Sequence, residues 1–467
     1  MNRRGFLNVC GAGAASFALA KGGHAAEAPG RKPNVVFLFT DDQREDTVAA
    51  LGNPNIKTPN LDALAKSGVI FRNAYCMGGF SGAVCLPSRM MMLRGRSWFS
   101  VRNLPPGFPN FPTALNEAGY ETYHHGKKGN TDTQVHKFFT HTHYLDGDGD
   151  RTSGFPCKTL ADDAIAFLKT RDKAKPFFIY LAPANPHDPR VADKKYMDQY
   201  DAEKIPMPPN FLPFHPFDNG DMVIRDEKLA PWPRTEAEVR KQLHDYYAVI
   251  TGMDEQVGRL VAALKDAGEF DNTIFVFASD QGIAIGSHGL MGKQNLYEHT
   301  MGVPLFLTGP GIPQGKIVDA FGYLFDVFPT VCDLVGAKVP EGIEGKSLAP
   351  VIQGKAEGVR DAIFLAYKGI QRAVRKNRWK LLRYPQVNKT QLFDLDADPF
   401  ETKDLSADPA HAGEVKELLA LMAEQQKLFG DPQPLTVASP KPAEVDLSFF
   451  QRARPPAKGA KGKGKAK

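Results

Sequence analysis

Short apolar runs alternate with longer stretches of helical spacing along most of this chain. Asn34-Val35-Val36-Phe37-Leu38-Phe39 is the first, β-rich and without a charged interruption. That is the pattern of a strand buried on both faces. Phe177–Leu181, Thr273–Ala278 and Val303–Leu307 repeat it, and Tyr120–His124 reads as a further strand. Thr58-Pro59 predicts a helix start, with Thr58 as N-cap and Pro59 in the first turn. Pro112–Ala118 predicts a helix ending at Gly119, Leu160–Thr170 a second, and Glu238–Ala267 a long amphipathic one stopped by Gly268. Strands alternating with helices predict an α/β fold whose large sheet is mostly parallel and flanked by helices on both faces.

The pattern changes after about Gly354. Ala362–Lys368, Arg372–Arg375, Trp379–Tyr384 and Leu392–Leu395 are strand candidates close together, followed by helical spacing from Ala412 to Phe429. This predicts a small C-terminal antiparallel sheet with one packed helix. The domain reading is a leader over 1–28, a large domain over 32–354, a C-terminal subdomain over 355–432 and a Pro/Ala/Lys-rich tail without a fold over 433–467. Met207–Pro233 is a long Pro-rich loop with Phe211, Phe214, His215, Phe217 and Trp232, of the length that often serves as a binding loop or lid.

Composition narrows the class. Hydrophobic content of 42% and charged content of 24% are ordinary for a globular protein. The net charge of +5 is deceptive, because Lys458–Lys467 alone contributes five lysines. Without them the chain is near neutral, so no nucleic-acid partner is expected. Asn2-Arg3-Arg4-Gly5-Phe6-Leu7, an apolar stretch from Val9 to Ala20 and small residues around Ala25-Ala26 read as a leader for the twin-arginine export machinery. A periplasmic or secreted bacterial protein is the expectation, without a stable membrane anchor. Of five cysteines, Cys10 falls in the leader, and Cys76, Cys157 and Cys332 leave room for one disulfide or for three buried thiols.

The candidate chemistry sits just beyond the strands, where open parallel sheets bind ligands. Thr40-Asp41-Asp42 follows the first strand, Asn185-Pro186-His187 follows Phe177–Leu181, and Ser279-Asp280-Gln281-Gly282 follows Thr273–Ala278. Each alone is a common turn. Together they bring carboxylate and amide oxygens to one sheet edge, and such oxygens suit a hard cation such as Ca2+.

Cys85-Leu86-Pro87-Ser88-Arg89, followed by Leu93-Arg94-Gly95-Arg96, resembles the maturation signature of the type I (formylglycine-dependent) sulfatases. The likeness extends over roughly Lys32–Pro432. It includes the opening strand ending in Asp41-Asp42, Gly126-Lys127, Asn185-Pro186-His187, and Phe275–Lys293 with Asp280-Gln281 and Gly292-Lys293. The resemblance implies an alkaline-phosphatase-like α/β sandwich and a sulfuric ester hydrolase acting on a sulfated saccharide. It also implies that a formylglycine-generating enzyme oxidises Cys85 to 3-oxoalanine (Cα-formylglycine), and that one Ca2+ is held by Asp41, Asp42, Cys85, Asp280 and Gln281. Cys85, Arg89, Lys127, His187 and Lys293 would then be catalytic. Two departures stand out. Gln281 replaces the usual Asn or His, and Gly129 stands where the family pattern Gly-Lys-x-His has its histidine, with His124, His125, His136, His141 and His143 nearby. Other readings are a phosphate or phosphonate ester hydrolase of the same superfamily, and a non-catalytic protein that binds sulfated glycans.

Overall fold

In the computed structural model, residues 31–147 and 149–445 are described. The predicted leader and the end of the tail lie outside them. The strands are β1 (Asn34–Thr40), β2 (Val69–Tyr75), β3 (Gly78–Gly79), β4 (Glu121–Gly126), β5 (His141–Tyr144), β6 (Phe177–Ala182), β7 (Thr273–Ser279), β8 (Leu305–Thr308), β9 (Lys316–Tyr323), β10 (Ala362–Tyr367), β11 (Gln371–Lys376), β12 (Trp379–Tyr384) and β13 (Lys389–Asp394). The large sheet has the order β5-β4-β6-β1-β7-β8-β2-β9, and the small one β13-β12-β11-β10-β3.

The pleat explains why β1 is apolar throughout. Val35, Phe37 and Phe39 join one core, which takes in the helices Cys85–Arg94, Phe111–Glu117 and Val327–Leu334 and the small sheet. Val36 and Leu38 join the opposite core, against the helices Pro59–Lys66, Lys158–Thr170 and Glu236–Asp266. Neighbouring side chains on a strand point to opposite faces, so a strand covered on both sides has no polar position to spare.

β4, β6, β1 and β7 are parallel neighbours. Their carboxyl ends therefore open on one edge. β8 departs from the expected parallel run, since it is antiparallel to both β7 and β2. An antiparallel neighbour begins at the edge where the preceding strand ends, so the connection 280–304 never leaves that edge. Four strands escaped the pattern reading, the short β3 and β5 and the longer β2 and β9. β2 carries Arg72 and Asn73 in mid-strand, where its register with β9 shifts. β9 is an edge strand with Lys316 and Asp319 along it, the charge that keeps an edge from pairing further.

The helix Pro59–Lys66 starts where predicted, but Thr58 makes no side-chain cap. Its hydroxyl donates to Asp62 Oδ1 at 3.0 Å. The first-turn N–H groups are met from outside: Asn60 N donates to Asp254 Oδ2 at 3.1 Å and Leu61 N to Asp254 Oδ1 at 2.7 Å. Asp254 belongs to the long helix and is 2% exposed. Asp254→Ala leaves those donors buried without partners and is expected to lower unfolding stability by about 2 kcal/mol. Urea titration reads this, and a loss below about 0.5 kcal/mol, the scale of an ordinary surface change, would mean that another acceptor already serves the helix.

All four described cysteines, Cys76, Cys85, Cys157 and Cys332, are buried free thiols. Residues 433–445 run along the small sheet, with Lys441 N donating to Gln386 O and Val437 N to Asn388 Oδ1.

Candidate active site

Cys85 opens the helix Cys85–Arg94, and Arg89 lies four residues on, on the same helix face. That face looks onto the carboxyl edge of the large sheet. Ser88 Oγ donates to Asp280 O at 2.6 Å, and Arg89 Nε to Asp280 Oδ2 at 2.9 Å. Arg89 is fully buried, with its guanidinium 5.2 Å from the centre of the Phe39 ring. The far end of the helix is tied as well: Arg94 pairs with Asp132 at 2.6 Å, and Arg96 with Glu344 at 2.6 Å. Gly95 closes the helix at φ 62, with Phe328 and Ile343 where a Cβ would point.

Asp41 and Asp42 continue β1. Asp42 has φ 64, a left-handed conformation that Asp tolerates better than most residues. The surroundings hold it there, for its N–H donates to Asp280 Oδ1 at 3.1 Å and its carbonyl accepts from Tyr246 Oη at 2.6 Å. Such strain collects at functional sites.

Around Cys85 Sγ the structure gathers most of the residues singled out from sequence. The thiol donates to Asp41 Oδ1 at 3.2 Å, and Gln281 Nε2 and Lys293 Nζ each lie 3.1 Å from Sγ. Lys293 Nζ also donates to Asp42 Oδ1 at 2.7 Å and Oδ2 at 2.9 Å. Lys127, just past β4, pairs with Asp41 Oδ2. His187 Nε2 is 3.7 Å from Asp42 Oδ2, while its Nδ1 bonds Asp188 O at 2.6 Å. A proton on Nδ1 for that carbonyl leaves Nε2 facing the acidic centre.

The electrostatics follow from burial among charges. Burial alone would raise Asp41, but Lys127, His187, Arg89 and Lys293 outweigh it and hold its carboxyl well below the usual range. Burial and then the Asp41 charge push Asp280 up to about 7. Burial, Asp280 and Asp41 raise the Cys85 thiol, so it is no thiolate nucleophile. Lys293 is held protonated, because Asp42, Cys85 and Asp226 overcome its burial.

Ligand atoms of Asp41, Asp42, Cys85 and Asp280 all lie within 4.8 Å of one another. Gln281 Oε1 is buried beside them without a hydrogen-bond partner. Three carboxylates and an unsatisfied amide oxygen form an oxygen-rich set compatible with Ca2+.

The histidines near Gly129 divide sharply. His124 is fully buried, its ring 3.8 Å from that of His136 and 5.5 Å from that of Tyr180. Burial and the neighbouring His136 keep it neutral. His125 Nδ1 faces Asp163 at 3.2 Å, and His141 Nε2 faces Glu121 at 2.8 Å. His143 lines a cleft of about 860 Å3 together with Asp41, Lys127 and His187.

The loop 207–233 does not offer its rings to that cleft. His215, Phe217 and Trp232 are buried, and Phe214 packs against the core. Its site contribution is polar and went unnoticed in the sequence. Arg225 pairs with Asp188, beside His187, and with Asp226 at 2.9 Å; Asp226 Oδ2 accepts from Gln294 Nε2 at 2.6 Å. Glu227 accepts from the N–H groups of Met291 and Gly292 and pairs with Arg234 at 2.6 Å. The loop thus braces both the His187 and the Lys293 segments.

The Sulfatase family model matches residues 33–337, and the model for the N-sulphoglucosamine sulphohydrolase C-terminal region matches 286–428. The N-acetylglucosamine-6-O-sulfatase of Bacteroides thetaiotaomicron is 27% identical, over 86% of this chain and 88% of that one. A solved structure in complex with its substrate D-glucosamine-2-N,6-O-disulfate superposes with a TM-score of 0.74 at 26% identity, over 86% of this chain and 99% of that one. The phosphonate monoester hydrolase of Agrobacterium radiobacter shares the fold, with a TM-score of 0.71 at 23% identity, over 85% of this chain and 97% of that one.

Proposed function

The chain belongs to the sulfatase family and is a sulfuric ester hydrolase; on that premise we propose that it is an exported enzyme that cleaves a sulfate ester of a saccharide through formylglycine at position 85. The observation that carries this is Cys85 Sγ at the start of a buried helix, within 3.2 Å of Asp41, Gln281 and Lys293. The relative named for N-acetylglucosamine-6-sulfate and the solved complex with a sulfated glucosamine support the saccharide. The Arg3-Arg4 leader pattern supports export to the periplasm or beyond.

Matured Cys85 would supply a hydrated aldehyde as nucleophile, and a Ca2+ held by Asp41, Asp42, Asp280 and Gln281 would supply positive charge toward the sulfate oxygens. The chain's own residues do the rest. Lys127 Nζ, at the cleft wall beside Asp41, grips a sulfate oxygen. Lys293, buried and protonated, places a second fixed cation beside position 85. His187, when its ring is doubly protonated, would give its Nε2 proton to the departing sugar oxygen while Nδ1–H stays bonded to Asp188 O, and the neutral ring that remains would take a proton back from solvent. Arg89 keeps Asp280 oriented and balances its charge.

The direct test is the mass of the tryptic peptide Asn73–Arg89 from protein matured in its native host. Position 85 is expected as an aldehyde, with Cys76 in the same peptide as the unmodified control. An intact thiol at 85 would instead favour a non-catalytic glycan-binding protein. Matched aryl sulfate and aryl phosphonate esters separate the sulfatase from the phosphonate hydrolase reading, which predicts faster turnover of the phosphonate.

The raised Asp280 also predicts a pH dependence. A cation competes with the proton on that carboxyl, so Ca2+ affinity is expected to fall as pH drops below about 7 and to level off above it. Calorimetric titration at pH 6 and pH 8 checks this; tighter binding at pH 6 would show that Asp280 is not a ligand.

A further inference from the structure

The cleft is larger than one sulfate ester needs, and its outer wall carries Lys128. Its volume of about 860 Å3 is that of a site for a whole sugar unit or more. Asp41, Lys127 and His187 form its inner end, and Lys128, His143 and Arg151 line it further out. Among the described residues of the lining, the carboxylates are Asp41 and Asp146. Asp41 is already faced by Lys127 and Arg89.

Lys128 is the unusual member. It is exposed and pairs with no carboxylate among the described residues; its one recorded contact is the face of Tyr144, 5.8 Å from Nζ to the ring centre. Arg151 borders the same cleft and donates through Nη1 to Asp188 O at 2.8 Å, which sets it next to His187. Between Lys127 and this wall stands Gly129, where an added Cβ would meet nothing within 4 Å. The position thus leaves open space beside a lysine that pairs with no carboxylate among the described residues.

We infer that this outer wall is a subsite for a second anionic group on the same substrate, held by Lys128, so that the preferred saccharide carries another sulfate or a carboxylate besides the ester that is cleaved. The inference rests on the sulfated-saccharide reading. A point charge on a flexible stem suits either anion.

The test is calorimetric binding to the wild-type protein of three probes. These are D-glucosamine-6-O-sulfate, D-glucosamine-2-N,6-O-disulfate, and the 6-O-sulfated glucosamine linked to glucuronate. One extra charged contact is expected to tighten binding of a dianionic probe about tenfold over the monosulfate. The tighter of the two dianions identifies sulfate or carboxylate as the second group. Lys128→Ala should remove most of that preference and Lys128→Arg should restore it. The side chain is exposed and touches only the face of Tyr144 among the described residues, so folding is not at risk. Equal affinity for all three probes, or a preference that survives Lys128→Ala, overturns the subsite and leaves the sulfatase reading standing. Binding of none of the probes overturns both.

Discussion

Cys85→Ala is expected to abolish turnover of sulfate esters while leaving a folded protein. Removal of a nucleophile that acts with its partners as one unit lowers kcat by about 10⁴-fold or more. The fold should tolerate the change, because the groups on Sγ have other partners. Lys293 Nζ retains both oxygens of Asp42, and Gln281 Nε2 retains Asp42 Oδ1 at 2.6 Å. The small cavity left in the buried site costs about 1 kcal/mol. Steady-state kinetics on an aryl sulfate and a thermal melt read the two sides. Near-normal activity would remove Cys85 from the mechanism, and collapse of the melt would show that the motif serves structure instead.

The second large effect is expected from Asp280→Ala. This carboxylate is a candidate Ca2+ ligand and also the partner of a fully buried guanidinium, Arg89 Nε, at 2.9 Å. Without it Arg89 keeps Thr40 O at 3.3 Å and Asp41 Oδ2 at 3.9 Å, too little for a buried charge. Breaking such a pair costs about 3–5 kcal/mol. The N–H groups of Asp42 and Gln281 lose their acceptor as well. Urea unfolding at pH 8 measures the stability loss. A parallel Ca2+ titration should show a larger drop for Asp280→Ala than for Gln281→Ala, since a charged carboxylate holds the ion better than an amide. The reverse ranking would place the cation elsewhere, and a stability loss under about 1 kcal/mol, the ordinary size for a point mutation, would mean that Arg89 finds another counter-charge.

Much of the site was legible because its parts are local in sequence. Asp41-Asp42 and Asp280-Gln281 follow strands whose apolar runs announce them, whereas the helix that puts Cys85 and Arg89 on one face was not among the predicted elements. The resemblance to sulfatases added roles for Lys127, His187 and Lys293, which as isolated side chains look like surface residues. What stayed hidden is what depends on distant partners. Nothing near Thr58 says that Asp254 would meet the first turn of its helix from 194 residues away. Nor does the loop 207–233 say that its rings turn into the core while Arg225 and Glu227 brace the site.

The strands of the large sheet show the same division. β1, β6 and β7 are covered on both faces, so each carries its fate in its own apolar run. β2 and β9 carry charges that are tolerated only because a register shift and a sheet edge let them reach water. The sequence by itself determined the α/β class and the strand ends that carry oxygen ligands, because apolar periodicity and spacing along one element are local quantities. Tertiary structure alone decided that β8 returns antiparallel and keeps Lys293 at the site, that His124 is sealed in the core while His143 lines the cleft, and that Lys128 faces that cleft with no carboxylate paired to it among the described residues. Each of these is a balance of burial and charge among segments far apart in the chain, and such a balance exists only once they are packed together.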